Sequence, residues 1–256
     1  MTAPSAVPVL RRTRTRVVAA VVTVALLLVG QHLWQQHQAR QPVTDPARAG
    51  VPAVHWPNGH GTGRWDHDPW VQTLREALTL LAVAANTGDF TDPALRTIVS
   101  QDYLESYAQS RAELRSTTYQ PGPWPFAVRD LETTETSATV HTCRTGHWTI
   151  SDPGYVPTPE AVTTGRGHRV VWELAMRPDG SRYVTSATNV PRPYDLCPAP
   201  GIVVGYFDPP PPYGQQRGPV IGPDGQVRQP TYPYDTPQPT STQAPEPVEQ
   251  TARDGR

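Results

Sequence analysis

The sequence predicts an α+β fold: three helices, then an antiparallel sheet of about four strands, with a transmembrane helix ahead of this body and a disordered proline-rich tail behind it. Three observations carry the prediction. Apolar residues recur at three- and four-residue spacing from Trp70, they alternate with period two from Phe126, and the prolines and glycines concentrate on either side of residues 66–197.

The first element is the apolar run Val17 to Gly30, preceded directly by Arg11, Arg12, Arg14 and Arg16. At the helical rise it covers about 21 Å, and about 27 Å if extended to Trp34, against a hydrocarbon core of about 30 Å. Arginines stay on the cytoplasmic side and a tryptophan suits the far interface. Residues 1–16 are therefore expected to be a cytoplasmic basic segment and residues 17–34 a signal-anchor, with the C-terminus outside. The alternative is a cleaved signal peptide, for which a basic stretch and a short apolar run also suffice. His37-Gln38-Ala39 lacks the small residue at −3, and Ala47-Arg48-Ala49 lies far past Trp34. Both readings export the remainder.

Residues 35–65 read as a linker, holding Pro42, Pro46, Pro52 and Pro57 among four glycines. Asp68-Pro69 then supplies an N-cap and a first-turn proline. Trp70, Leu74, Leu78, Leu81 and Ala85 form one stripe, broadened by Leu80 and Val83, and Asn86-Thr87-Gly88 ends the helix. Asp92-Pro93 opens a short second helix, and a third runs from about Gln101 to Arg115. Strands follow at Phe126–Leu131, Ala138–Cys143, His168–Met176 and Arg182–Val190, with Thr133–Ser137 and Pro178-Asp179-Gly180 as turns and a long loop from Ser151 to Gly167. Residues 198–256 hold 14 prolines in 59 positions and few aliphatic side chains, so disorder or polyproline is expected there.

The net charge of −1 gives no broad electrostatic case for nucleic acid. The chain has 22 arginines and no lysine, the usage of a GC-rich genome and consistent with an actinobacterial source. Its two cysteines, Cys143 and Cys197, both fall in the exported part, where a lone pair reads as one disulfide.

The helix Trp70 to Ala85 with its Ala85-Asn86-Thr87-Gly88-Asp89 end, and the hairpin Val170 to Thr185 with Trp172, Asp179-Gly180 and Tyr183, resemble the nuclear-transport-factor-like cone fold. That resemblance covers about half the chain and implies three helices packed on a curved sheet around a conical pocket. With the anchor added, the chain is similar to small actinobacterial envelope proteins associated with lipid import, conjugation or type IV secretion. It implies a non-enzymatic binding or assembly role with an envelope protein partner, and allows a homo-oligomer. The alternatives are a tethered cone-fold enzyme, a binder of a small hydrophobic ligand, or a cleaved secreted protein.

Tyr103, Tyr107, His141 and Trp172 are the expected pocket-lining residues; His141, Asp130, Tyr103 and Tyr107 are the groups an enzyme would use as base and donor. Trp172 reads first as a core filler. His55, His60 and His67, with Asp66 and Asp68, are zinc-compatible ligand types, but no helical i, i+4 spacing fixes them. Solvated linker histidines are the simpler reading, and no residue is assigned to a metal, a cofactor or catalysis. Trp124, in a stiff Pro-Gly-Pro-Trp-Pro run, is a candidate contact surface. Pro209-Pro-Pro-Pro-Tyr213 matches a polyproline ligand pattern, with spacer as the default.

Overall fold

A computed structural model describes residues 42–60, 63–113, 118–150, 155–191, 195–213 and 218–229. The expected basic segment and signal-anchor (1–16 and 17–34) and the last part of the tail (230–256) lie outside the described residues. Among the described residues no helix is long and apolar enough to cross a membrane.

The predicted caps are in place. Helix α1 spans Pro69–Thr87, and the Asp68 carboxylate accepts the Trp70 amide at 2.8 Å. Gly88, at φ 77°, lets the chain leave in the left-handed conformation that an L side chain resists. Asp92 caps α2 (Pro93–Ile98) in the same manner, through the Ala94 amide, and α3 follows at Gln101–Glu113. The main sheet takes β3 (Phe126–Thr133), β4 (Ser137–Thr145), β5 (Arg166–Met176) and β6 (Arg182–Asn189) in sequence order, all antiparallel. A fifth strand, β7 (Leu196–Pro198), pairs with Arg166–His168. β4 already holds the other side of β5, so β6 and β7 share one edge of it, one after the other.

The fold class differs from the expected cone fold. The described chain is mixed, with four short helices and ten strands in three antiparallel sheets. The fourth helix, α4 (Pro159–Thr164), lies inside the expected Ser151–Gly167 loop, capped by Thr158. The supposed linker supplies β1 (Val43–Asp45) and β2 (Ala53–Trp56), and the supposed tail supplies β8 (Tyr206–Asp208), which pairs with β2. The tail also forms the hairpin β9 (Val220–Ile221) and β10 (Val227–Arg228), docked on the end of α1 through Ile221 N to Gly88 O at 2.7 Å and Phe90 N to Ile221 O at 3.0 Å. Prolines hold these strands to two to four residues, too short for a period-two pattern to register, but they do not stop each strand from finding a distant partner.

These additions change what surrounds α1. One side of it joins Leu104, Val140, Val170, Trp172 and Val184 in the main core. Its Ala82 meets Val54, Trp56 and Phe207 of the β1–β2–β8 sheet in a separate cluster. A helix with cover on two sides needs apolar residues beyond a single stripe, which accounts for the breadth seen from Leu78 to Ala85. Behind the main sheet, Cys143, Trp148, Val162, Cys197, Ile202 and Val204 form a further small core, crossed by the Cys143–Cys197 disulfide.

Candidate functional site

Two places gather polar side chains over apolar ground. The first is a groove of about 460 Å³ between the β1–β2 hairpin and α1. Its floor is Val51, Val54, Trp56 and Leu80, all buried. Its carboxylates and guanidinium groups each hold a partner within the chain. Asp45 accepts the Trp56 indole N–H at 2.7 Å and lies 3.2 Å from His60 Nε2, while the His60 ring meets Trp56 edge-on. Arg75 donates to Asp66 at 2.6 Å and stacks over Phe126, and Asp66 also accepts the Gly63 amide. Arg48 pairs with Glu76 on the rim.

Two of the three histidines have partners on β1. His55 pairs with Thr44, His60 with Asp45, and His67 is an exposed part of the lining. Among the described residues no three His, Cys, Asp or Glu side chains converge in a way that could hold a metal ion.

The second place lies between α3 and the main sheet. Tyr103 and Tyr107 are four apart on α3 and come onto one face. Tyr103 meets Trp172 edge-on at 6.4 Å between ring centres and lies 6.2 Å from Tyr107, which in turn meets Phe90 at 6.0 Å. Trp172 is a core residue: it is buried, and its indole N–H donates to Thr142 Oγ1 at 3.0 Å. Three of the four expected pocket residues therefore come together. His141 does not join them. Val140 and Thr142 of β4 face the helices, so the alternation of the strand turns His141 to the other face. There it lies 3.4 Å from Glu132 and lines a separate cavity of about 420 Å³ with Arg129, Asp130 and Arg169.

Two arginines also bear on this place: Arg111, which the sequence puts near one helix face with Leu104, Tyr107 and Ala108, and Arg144, which it does not single out. Arg111 continues the Tyr103–Tyr107 stripe by one turn and is buried. Arg144 reaches in from β4, stacks over Trp124 at 4.7 Å and donates to Asn189 Oδ1 at 3.0 Å. Burial lowers the pKa of both guanidinium groups, opposed by the tyrosines; at their high intrinsic pKa they remain cations. Burial, with the neighbouring Tyr107, pushes the Tyr103 phenol well above the ordinary tyrosine range, against the pull of Arg144. A basic residue at i+4 from a helical tyrosine was the available signal for Arg111; nothing local marked Arg144.

A His–Asp pair was also missed. His168 Nδ1 lies 2.8 Å from Asp195, the arrangement that orients a general base. Its Nε2, however, faces the backbone of Gly146, where an added Cβ would come within 2.8 Å of it. The pair therefore ties β5 to the segment before β7.

Two proposed contact motifs are tied down. Trp124 donates its indole N–H to Thr145 O at 3.0 Å, and Tyr213 of the Pro209–Tyr213 run packs edge-on against Tyr119 at 5.8 Å. No protein-family model, no curated protein and no solved structure matches this chain.

Proposed function

We propose that the chain is a non-enzymatic, single-pass membrane protein whose exported body is a binding or assembly module in an envelope complex. The observation that carries the non-enzymatic reading is the groove between β1–β2 and α1. It has an apolar floor, and Asp45, Asp66, Glu76, Arg48 and Arg75 each bond to a group of the same chain. A general acid or base must have a free lone pair or proton facing the substrate, which among these lining groups leaves the exposed His67 outside the bonded set. Charges engaged in this way orient an incoming surface and leave the apolar floor to supply the affinity. The Cys143–Cys197 disulfide supports an oxidising compartment, and the arginine-flanked apolar run Val17 to Gly30 supports delivery there with the N-terminus inside.

Two measurements on the full chain test this. Carbonate extraction should leave the protein with the membrane, and release into the soluble fraction ends the anchored reading. A photo-crosslinking side chain at Thr79, in the groove lining, should capture a discrete envelope polypeptide in living cells, while the same probe at exposed Glu173 on the main sheet should not. Capture from Glu173 alone would move the interface off the groove.

A further inference from the structure

The groove between β1–β2 and α1 carries an uneven charge. Three carboxylates line it, Asp45, Asp66 and Glu76, against two guanidinium groups, Arg48 and Arg75. With the histidines neutral, one negative charge is left over. Two of the carboxylates are neutralised in place: Arg75 lies 2.6 Å from Asp66, and Arg48 pairs with Glu76. Asp45 is the third. Among the described residues no guanidinium comes within ion-pair distance of it, and the chain has no lysine. Its partners are the Trp56 indole N–H and His60, which is a cation only when protonated. The cavity behind the main sheet differs in this respect: there Arg129 and Arg169 balance Asp130 and Glu132.

The leftover charge is fixed beside the apolar floor. The β1–β2 register sets Asp45 opposite Val54 and Val43 opposite Trp56, so Asp45, Val54 and Trp56 share the face turned to α1. Directly opposed residues have their Cβ atoms about 5 Å apart. The Trp56 indole N–H, 2.7 Å from Oδ2, holds the carboxylate in one orientation. The Asp45 side chain is nevertheless 47% exposed, so an incoming group can reach it. A carboxylate oxygen accepts through two lone pairs, and Trp56 and His60 leave one on each oxygen. A basic side chain fits both parts of the groove, because its methylene stem covers apolar surface while its head stays with the anion.

We propose that the groove receives a lysine or arginine side chain of the partner polypeptide, its stem over Val51, Val54 and Leu80 and its head on Asp45. This rests on the groove being an interface, and adds the chemistry of what enters it.

The test has two arms, both on the full chain. In the first, n-butylammonium, which reproduces the lysine side chain, is titrated at pH 8, where a histidine is ordinarily neutral, into protein in non-ionic detergent. The Trp56 indole N–H resonance, reporting on the bond to Asp45, should shift in a saturable way. Butan-1-ol, the same stem without the charge, should bind about fivefold more weakly, the loss expected of one half-exposed ion pair. Asp45→Asn should abolish this difference. The asparagine carbonyl can still accept the indole N–H, so the melting temperature should stay at that of the parent, which separates binding from a structural role. In the second arm, capture in living cells by the photo-crosslinking side chain at Thr79 should fall about fivefold in Asp45→Asn.

Butylammonium binding no tighter than butanol, or a preference that survives in Asp45→Asn, would overturn the cation site. The comparison of the two probes on the parent needs no variant, so it decides even if Asp45→Asn does not fold. Undiminished capture from Thr79 in Asp45→Asn removes the basic side chain but leaves the groove an interface. A preference for butylammonium with no capture from Thr79 at all ends the polypeptide occupant, and the interface reading with it.

Discussion

The two faces of the main sheet are covered by different means. On one face lie α1, α2 and α3, whose long aliphatic side chains close the core chiefly by burial: Leu74, Leu95 and Leu104 are fully inaccessible, and Ser100 adds bonds to Val184 O and Thr185 O of β6. On the other face the cover is α4 and the chain from 195 to 208, whose regular pieces are the three-residue strands β7 and β8, and the apolar material beneath it is small, mostly alanine, valine and cysteine around one tryptophan. Irregular backbone must satisfy its own polar groups, so this side is held by individual bonds. Trp148 donates to Gly122 O at 2.9 Å, Tyr206 donates to Pro157 O, Arg129 donates to Pro198 O and Pro200 O, and Cys143 is linked to Cys197. Where a regular element supplies a continuous apolar stripe, packing suffices. Where proline prevents one, cross-links do the holding.

The sharpest way to break that contrast is to remove the disulfide. It joins residues 54 apart, and loss of such a constraint is expected to cost about 4 kcal/mol. In a Cys143→Ala/Cys197→Ala variant, hydrogen exchange should accelerate first at β7 and β8 while α1 and the β4–β5 ladder keep their protection. Uniform acceleration over the whole chain would mean that the two faces are one cooperative unit. Leu74→Ala is the counterpart on the helical side. It should cost about 3 kcal/mol, the expected loss for a fully buried leucine, measured by urea unfolding, and its effect should spread through α1, α2 and α3. A change below 1 kcal/mol, on the order of a surface substitution, would place Leu74 outside the main core.

The same contrast explains what the sequence made readable. The caps Asp68 and Asp92, the stripe from Trp70 and the alternation of β4 and β5 are local signals, and the structure carries these elements close to their expected bounds. The disulfide was readable from cysteine number and setting. The second and third sheets were not, because Val54, Trp56 and Phe207 sit in strands of three or four residues whose partners are far away in sequence. Proline density was taken for disorder. Through residue 229 it instead limits strand length, and it leaves Tyr206, Phe207 and Tyr213 able to pack. At the polar cluster, Tyr103 and Tyr107 were readable as neighbours on one helix. Arg144 arrives from a different element and was visible only once the sheet was in place.

Gly122 tests the close approach on the irregular side. A Cβ there would stand 2.0 Å from Gly205 O, a backbone atom with no side-chain freedom to yield. Gly122→Ala should therefore destabilise by about 2 kcal/mol, in the range of overpacked sites, and should lower protection at residues 203–207 more than in α1. A neutral result in urea unfolding would show that the 120–122 and 204–206 segments part easily.

The smallest effect belongs to Tyr206 and appears only in alkali. Burial raises its phenol to about 12, with Glu160 and Tyr213 adding to the shift. In the unfolded chain a tyrosine ionises near pH 10. Below that pH both states keep the proton, and the folded state holds its full advantage. Between pH 10 and about 12 the unfolded state ionises while the folded state does not, so stability falls as pH rises through this window. Tyr206→Phe removes the hydrogen bond to Pro157 O, costing about 1 kcal/mol at pH 8, but it also removes this proton linkage. The urea midpoints of parent and variant should therefore converge between pH 9 and pH 11. Parallel lines over that range would mean that the phenol is free to ionise in the folded protein, and that the bond to Pro157 contributes nothing to holding the irregular cover in place.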